Sequence, residues 1–414
     1  MRYSTFLGLV TVAVLAASAT SQPVQQDLVL TSDSNPAGVY YTSYGPWSPL
    51  RTLDSSLITS GVKMACKNYY LYVIGGNTGN IYQLTSLGAR RTVTSATPPG
   101  GAALALDQDC SYMVACPNDG RLYRVKSSTV TTFATIPSSR GRPNAICRHG
   151  YTGDWLVGMT ATGDICRIDR VTGKELGRFH SGNSVSSILG LADMPRYNQV
   201  VAVRSRIVTP PYPGKTIQEL VLMSSYGSIT DTLEIKDASA VAVNHKTGSI
   251  FVATSSGSVV EVRDRFEKLE VVESLTYGTH GFTGIDIWGD QNVSPNTSGE
   301  RGAQVTVYVR FFRSQKMPYV VALSLGQSRG IRFNCGNILN LDPDPVFYLT
   351  AGGALPYFTS GFAGTTSVSG LAHAYFTIPW SIPVGTCMYV GAVAVNPAFR
   401  DGLDVGNSEC IQVK

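Results

Sequence analysis

Apolar and polar residues alternate in short runs along the first two-thirds of the chain, and clusters of Gly, Asn, Asp and Ser separate the runs. A period of two predicts strands with one buried face. Six of the runs align: "GVYYTSY", "GNIYQL", "GRLYRV", "GDICRI", "QELVLM" and "GSVVEV". Their first apolar residues, Val39, Ile81, Leu122, Ile165, Leu220 and Val259, follow one another at about 40 residues, with one longer step. A repeat of that length made of strands predicts propeller blades.

Lead-in strands rich in small and apolar residues precede each unit: "GVKMAC", "GAALALD", "PNAICRH", "ILGLAD", "SAVAVN" and "FTGIDIWG". Such residues suit inner strands packed tightly around an axis. After the first five comes a second strand, then a polar hairpin such as "NDGR" or "ATGD" that opens the third. The sixth lead-in strand has no followers. Its partners are expected at the other end of the domain, where "LVLTSDSNPAGVYYTSYGPWSPLRTL" supplies second, third and fourth strands but no inner one. The expected architecture is all-β: a six-bladed β-propeller over residues 25–289 with N-/C-terminal strand closure of one blade, then a linker at 290–303 and a small β-sandwich at 304–414.

The string "PPGGAALALDQDCSYMVACPNDGRLYRV" resembles blades of NHL-type and streptogramin-lyase-like propellers, and the resemblance extends over roughly residues 25–290. It implies the fold far more than a reaction. The end of the chain, with "FNCGNILNLDPDPVFYL", "TIPWSIPVGTCMYVGAVAV" and "GNSECIQV", resembles C-terminal modules appended to secreted proteins of environmental bacteria, over about residues 318–414. That resemblance implies a surface-association or sorting appendage.

Composition sharpens the class. Charged residues are 15% of the chain and the formal charge is +5, with no basic tail or basic helix, so no nucleic-acid partner is expected. Residues 1–21 combine a basic start, an apolar run from Phe6 to Ala17 and the small residues Ala17, Ser18 and Ala19, the pattern of a cleaved signal peptide. The mature chain is expected to carry no membrane span and to reside outside the cytoplasm: secreted, periplasmic or at the cell surface. Eight cysteines then predict disulfides. A terminal hairpin turning near Phe399 to Gly402 would bring Cys387 roughly opposite Cys410, whereas Cys66, Cys110, Cys116, Cys147, Cys166 and Cys335 have no pairing legible in the sequence.

Chemistry is expected at the mouth of the central channel, where the lead-in loops and the second-to-third-strand hairpins gather. Candidate ligand-binding residues there are Arg140, Arg142, Asn144, His180, Arg204, Arg206, Tyr212, Asp237 and His280. Four arginines on neighbouring blades would make one sector basic, suited to forked contacts with carboxylate, sulfate or phosphate, and Tyr212 could stack on a sugar. The competing reading leaves the same arginines dispersed and solvated. A channel calcium needs several oxygen ligands converging from the inner strands. The lead-in positions Gly61, Gly101, Asn144, Gly190, Ser239 and Thr283 supply only Asn144, so no cofactor or metal is expected. His280 and His180 are the candidates for acid/base work of a lyase kind. No HExxH or phosphate-loop string occurs, and no catalytic residue is assigned. The expected function is therefore an exported, non-enzymatic binding or cell-surface interaction protein whose mouth takes an anionic glycan or a protein; the alternatives are a lactonase-like or lyase-like propeller enzyme and a structural surface component.

Overall fold

The computed structural model describes residues 26–414 outside a set of connecting segments, among them 33–37, 55–62, 107–110, 209–213 and 333–337. Residues 1–21, expected as a leader, lie outside the described residues. Five antiparallel four-stranded sheets follow one another in chain order. Blade one runs from Lys63–Lys67 to Arg90–Thr94, blade two from Ala103–Leu106 to Thr129–Thr135, and blade three from Arg142–Arg148 to Glu175–His180. Blade four runs from Ser186–Met194 to Ile229–Glu234 and blade five from Ala238–Val243 to Leu269–Thr276. The first strand of each blade contacts that of the next around a complete ring, which makes the domain a six-bladed propeller.

Closure of the ring happens in blade six, where the inner strand Phe282–Trp288 pairs with Gln26–Ser32, which pairs in turn with Gly38–Tyr44 and then Arg51–Asp54. Leu28 and Leu30 lie opposite Ile287 and Ile285 on one side of the ladder and Thr42 and Tyr40 on the other. The two faces of this strand have different neighbours. Leu28 and Leu30 pack with Ala240, Phe251, Phe282 and Ile285 of blades five and six, whereas Val29 packs with Leu71, Val73 and Leu84 of blade one. One seven-residue strand thus holds both sides of the seam.

Within a blade, burial falls from second strand to fourth. Tyr112–Cys116 and Ser249–Thr254 are buried at every position because neighbouring blades cover both faces, while the outermost strand Leu269–Thr276 is exposed along most of its length. The hairpins from second to third strand turn tightly because Gly120 and Gly163 take φ of 73° and 63°, a left-handed conformation that costs other residues energy.

The C-terminal unit is two four-stranded sheets packed face to face. The first holds, in order, Val293–Asn296, Gln304–Arg310, Leu371–Thr377 and Thr359–Ser360; the second holds Ala363–Thr365, Pro318–Ser324, Cys387–Val395 and Leu403–Gln412. Strict alternation builds the core: Val305, Val307 and Val309 point inward against Val321, Leu323, Val390 and Ala392. Two features differ from the sequence reading. Val293–Asn296, inside the stretch expected as a linker, is a strand of the first sheet, and "DPVFYLTA" forms a short helix, Pro345–Ala351. Asp344 caps that helix: its carboxylate accepts from Phe347 N, Leu325 N and Ser324 Oγ, so the Asp-Pro repeat is a rigid turn.

Cys387 and Cys410 form a disulfide, with Cα atoms 5.6 Å apart. The pair is diagonal, since Cys387 lies opposite Gln412 and Cys410 opposite Tyr389. Cys116, Cys147 and Cys166 are buried free thiols. Cys110 and Cys335 lie outside the described residues, as does the side chain of Cys66.

The sandwich docks on the face of the propeller opposite the mouth, under blade three. Arg148, at the far end of the inner strand, donates Nη1 to Glu409 at 3.1 Å and Nη2 to the carbonyl of Cys410 at 2.6 Å. Next to it His149 is buried, with Nδ1 2.9 Å from Thr152 Oγ1 and its ring edge-on to Phe179. Burial, assisted by the Arg167 charge, pushes the imidazole pKa down to about 4.

Two predictions follow from this packing. Leu30→Ala removes a fully buried side chain at the seam and should lower stability by about 2–5 kcal/mol, read as a lower urea midpoint at unchanged slope. Between the ordinary histidine value of 6.5 and the folded value of about 4, the unfolded chain binds a proton at His149 that the folded chain refuses. Stability should therefore decline as pH falls through that window, and His149→Gln should flatten that part of the urea-midpoint profile.

Candidate functional site

The mouth is built from turns that knit neighbouring blades together, and its best-defined sector lies between blades three and four. A 3-10 turn, Ser138–Arg140, leads into the inner strand of blade three. The hairpin of the same blade is tied to it through Thr162 Oγ1 donating to the Arg140 carbonyl, and to blade four through Ala161 N donating to Ser187 Oγ.

Asn144 sits at a bulge, where the ladder of the inner strand skips from Pro143 to Ala145. Its Nδ2 donates to the carbonyl of Ile188, on the inner strand of blade four, at 3.0 Å. Ser239 occupies the matching bulge of blade five and donates Oγ to the carbonyl of Phe282, on blade six, at 2.7 Å. These side chains latch adjacent inner strands. Asn144 is occupied by that role, and a ligand would have to compete with a backbone carbonyl for its amide.

The arginines divide into two kinds. Arg140 pairs with Glu175 through Nη2 at 3.0 Å and Nε at 3.1 Å. Arg204 and Arg206, on the second strand of blade four, converge on one oxygen of Glu219: Arg204 Nε and Nη2 lie 2.8 and 2.6 Å from it, and Arg206 Nε 2.9 Å. Glu219 is cross-strand from Arg204 and its side chain is only 5% exposed, against 14% for Arg204 and 35% for Arg206. Arg142 is exposed, and its side chain has no ion-pair partner among the described residues. Its level on the strand is close to that of Arg206: Asn144 reaches Ile188, and the residues two positions upstream are Arg142 and Ser186, the latter in register with Arg206. Arg142, Arg204 and Arg206 against Glu219 leave two positive charges in the sector.

His180 is not an open mouth residue. Its Nδ1 lies 3.0 Å from the carbonyl of Gly227 in the outer turn of blade four, so the ring clamps blade three to blade four. Burial holds its pKa below the ordinary value; the Gly227 hydrogen bond opposes the shift and the Arg204 charge adds to it. His280 belongs to the seam between blades five and six. Its ring lies 4.7 Å from that of Tyr40 and stacks on Phe282 at 6.1 Å, and Nδ1 is buried without a hydrogen-bond partner among the described residues. The ring is half-buried in aromatic packing. Asp237 adopts φ of 60° and presents its carbonyl to Ser255 N at 2.8 Å, so its backbone shapes the turn into blade five. Tyr212 lies outside the described residues.

The structure thus brings Arg204 and Arg206 together on Glu219, leaves Arg142 exposed at the mouth end of the neighbouring inner strand, sets Arg140 and Asn144 into structural pairings, and leaves His280 and Asp237 elsewhere around the ring. Sequence reasoning missed Glu219. The available signal was a carboxylate inside an otherwise apolar run, "QELVLM". Among the described residues no group of three or more His, Cys, Asp and Glu side chains could hold a metal ion. The free thiols are not nucleophiles at neutral pH: burial pushes Cys116 and Cys166 up to about 12 and raises Cys147 well above the ordinary range.

No protein-family model matches the chain, and no curated protein does. Solved structures similar to it include a nidogen/laminin complex, at 10% identity over 64% of this chain and 98% of that one with a TM-score of 0.47. The Dos1 propeller is similar at 12% identity over 87% of this chain and 94% of that one, with a TM-score of 0.39. A streptogramin B lyase is similar at 12% identity over 64% and 93%, with a TM-score of 0.40.

Replacing Glu219 by Gln leaves Arg204 and Arg206 without their shared counter-charge. The expected loss is roughly 2–3 kcal/mol, less than the ~3–5 of a fully buried pair because Arg206 is partly solvated. Thermal denaturation of the variant beside the native protein measures it, and an unchanged midpoint would show that Glu219 does not hold the sector together.

Proposed function

We propose that the chain is an exported, non-enzymatic binding or cell-surface interaction protein whose propeller mouth is the ligand platform, recognising an anionic glycan or an acidic protein surface. The observation that carries the reading is the arginine sector of blades three and four, where one buried carboxylate organises Arg204 and Arg206 without neutralising them and Arg142 adds a further exposed guanidinium. A carboxylate that fixes two arginines in place lowers the ordering cost of binding, and guanidinium forks match carboxylate, sulfate and phosphate oxygens. Export is supported by the leader pattern of residues 1–21 and by the Cys387–Cys410 disulfide. Among the described residues no helix is long and apolar enough to cross a membrane.

The test is an array of sulfated, carboxylated and neutral glycans probed with the full chain. Arg142→Ala combined with Arg206→Ala is the informative pair, because Arg142 is exposed and removal of the partly solvated Arg206 leaves Glu219 paired with Arg204, whereas Arg140 and Arg204 are more buried than Arg206 and carry structural ion pairs. Anionic glycans should be retained, with affinity falling at least about tenfold in the double variant and weakening in raised salt. Equal binding by native and variant protein would overturn the arginine reading. Loss of binding on His280→Ala instead would favour the lyase-like or hydrolase-like alternative at the seam between blades five and six.

A further inference from the structure

Trp380 is 72% exposed, the most open of the large apolar side chains among the described residues of the sandwich. It stands in the connection between Leu371–Thr377 and Cys387–Val395, whose sequence "TIPWSIPVGTC" contains two prolines. Turns closed by Ile382 N to the Pro379 carbonyl and Thr386 N to the Pro383 carbonyl, both at 3.2 Å, stiffen it further. The indole lies against the backbone of Gly302. A Cβ at that position would fall 2.7 Å from Cζ2, 2.8 Å from Cε2 and 2.9 Å from Nε1 of the ring, and Gly302 has φ of 77°. Glycine there lets the ring seat on the chain and clears it of a competing side chain. The guanidinium carbon of Arg301 is 5.8 Å from the ring centroid, close enough for a cation–π contact. The guanidinium thus lies over part of the ring and brings hydrogen-bond donors to the platform.

A second exposed aromatic shares this end of the sheet. The carbonyl of Phe358, itself 53% exposed, accepts from Thr377 N at 3.2 Å, so Phe358 flanks the end of the strand on the side away from Gly302. The neighbouring strands that carry the two supports lie two inter-strand spacings apart, roughly 10 Å. Of the residues near Gly302 and Trp380 in the chain, Glu300, Gln304 and Ser381 are exposed and polar, and Val384 of the same connection is 60% exposed. A flat, pinned ring with apolar and polar neighbours and a guanidinium beside it fits a ligand with an apolar face and a polar rim, which describes a pyranose whose hydroxyls are equatorial: its C–H bonds meet the electron-rich ring and its hydroxyls reach the guanidinium.

We propose that the sandwich carries a second site, centred on Trp380 with Arg301 and flanked by Phe358, that binds neutral β-linked polysaccharide by stacking. The site is separate from the arginine sector of the propeller and stands or falls without it. The experiment uses the full chain against insoluble cellulose, insoluble chitin, a soluble β-1,3-glucan in affinity electrophoresis, and vesicles of uncharged phospholipid. The native protein should be retained by at least one of the three polysaccharides. Trp380→Ala should weaken that retention about tenfold or more, Trp380→Phe less, and the Arg142→Ala, Arg206→Ala double variant not at all. Circular dichroism and thermal denaturation of Trp380→Ala should match the native protein, since the ring is mostly in solvent. Retention by none of the polysaccharides, retention undiminished in Trp380→Ala, or Trp380-dependent sedimentation with the vesicles alone would each overturn the proposal.

Discussion

Everything in the propeller depends on the ladder between Gln26–Ser32 and Phe282–Trp288. Without it, Gln26–Ser32 and Phe282–Trp288 would present unpaired strand edges, and blades one and five bare apolar faces at a gap in the ring. The ladder joins residues about 250 positions apart, which makes closure entropically slow to reach and cooperative once reached. Its hydrogen bonds set the register, but the packing makes it hold: Leu28 and Leu30 belong to the blade-five side and Val29 to the blade-one side. A slip of one residue would exchange those faces and expose both sets.

A closed ring converts short-range turns into fixed long-range geometry. The inner strands of blades three and four, whose mouth ends lead to Arg142 and to the strand carrying Arg204 and Arg206, are locked to each other by the Asn144 latch. A lone pair of cationic side chains on a free loop would spend much of its time apart. Here Glu219, buried and shared, holds Arg204 and Arg206 in one arrangement.

How much of this was legible in the sequence follows from the physics of each part. The blades were, since repeat spacing and alternation are local properties, and so was the seam, because one lead-in strand lacked followers. The Cys387–Cys410 pair was also legible, as a hairpin needs no knowledge of the rest of the fold. What escaped depends on cross-strand register. Whether Arg204 is solvated or paired turns on its position opposite Glu219, and a bulge of one residue decides that Asn144 meets the Ile188 carbonyl rather than the channel. The helix Pro345–Ala351 was hidden for a different reason. At seven residues it is too short to display periodicity, and its Asp-Pro start reads equally well as a turn.

The inner strand of blade three, Arg142–Arg148, has a distinctive position in the molecule. Its lower end grips the sandwich through Arg148, and its upper end presents Arg142 to solvent. Six like blades would otherwise offer six equivalent undersides, so this attachment breaks the rotational equivalence of the wheel. The sandwich is thereby held at two places, through the chain that leaves Phe282–Trp288 of blade six and through Arg148 of blade three, so a load on it is shared between two blades of the wheel.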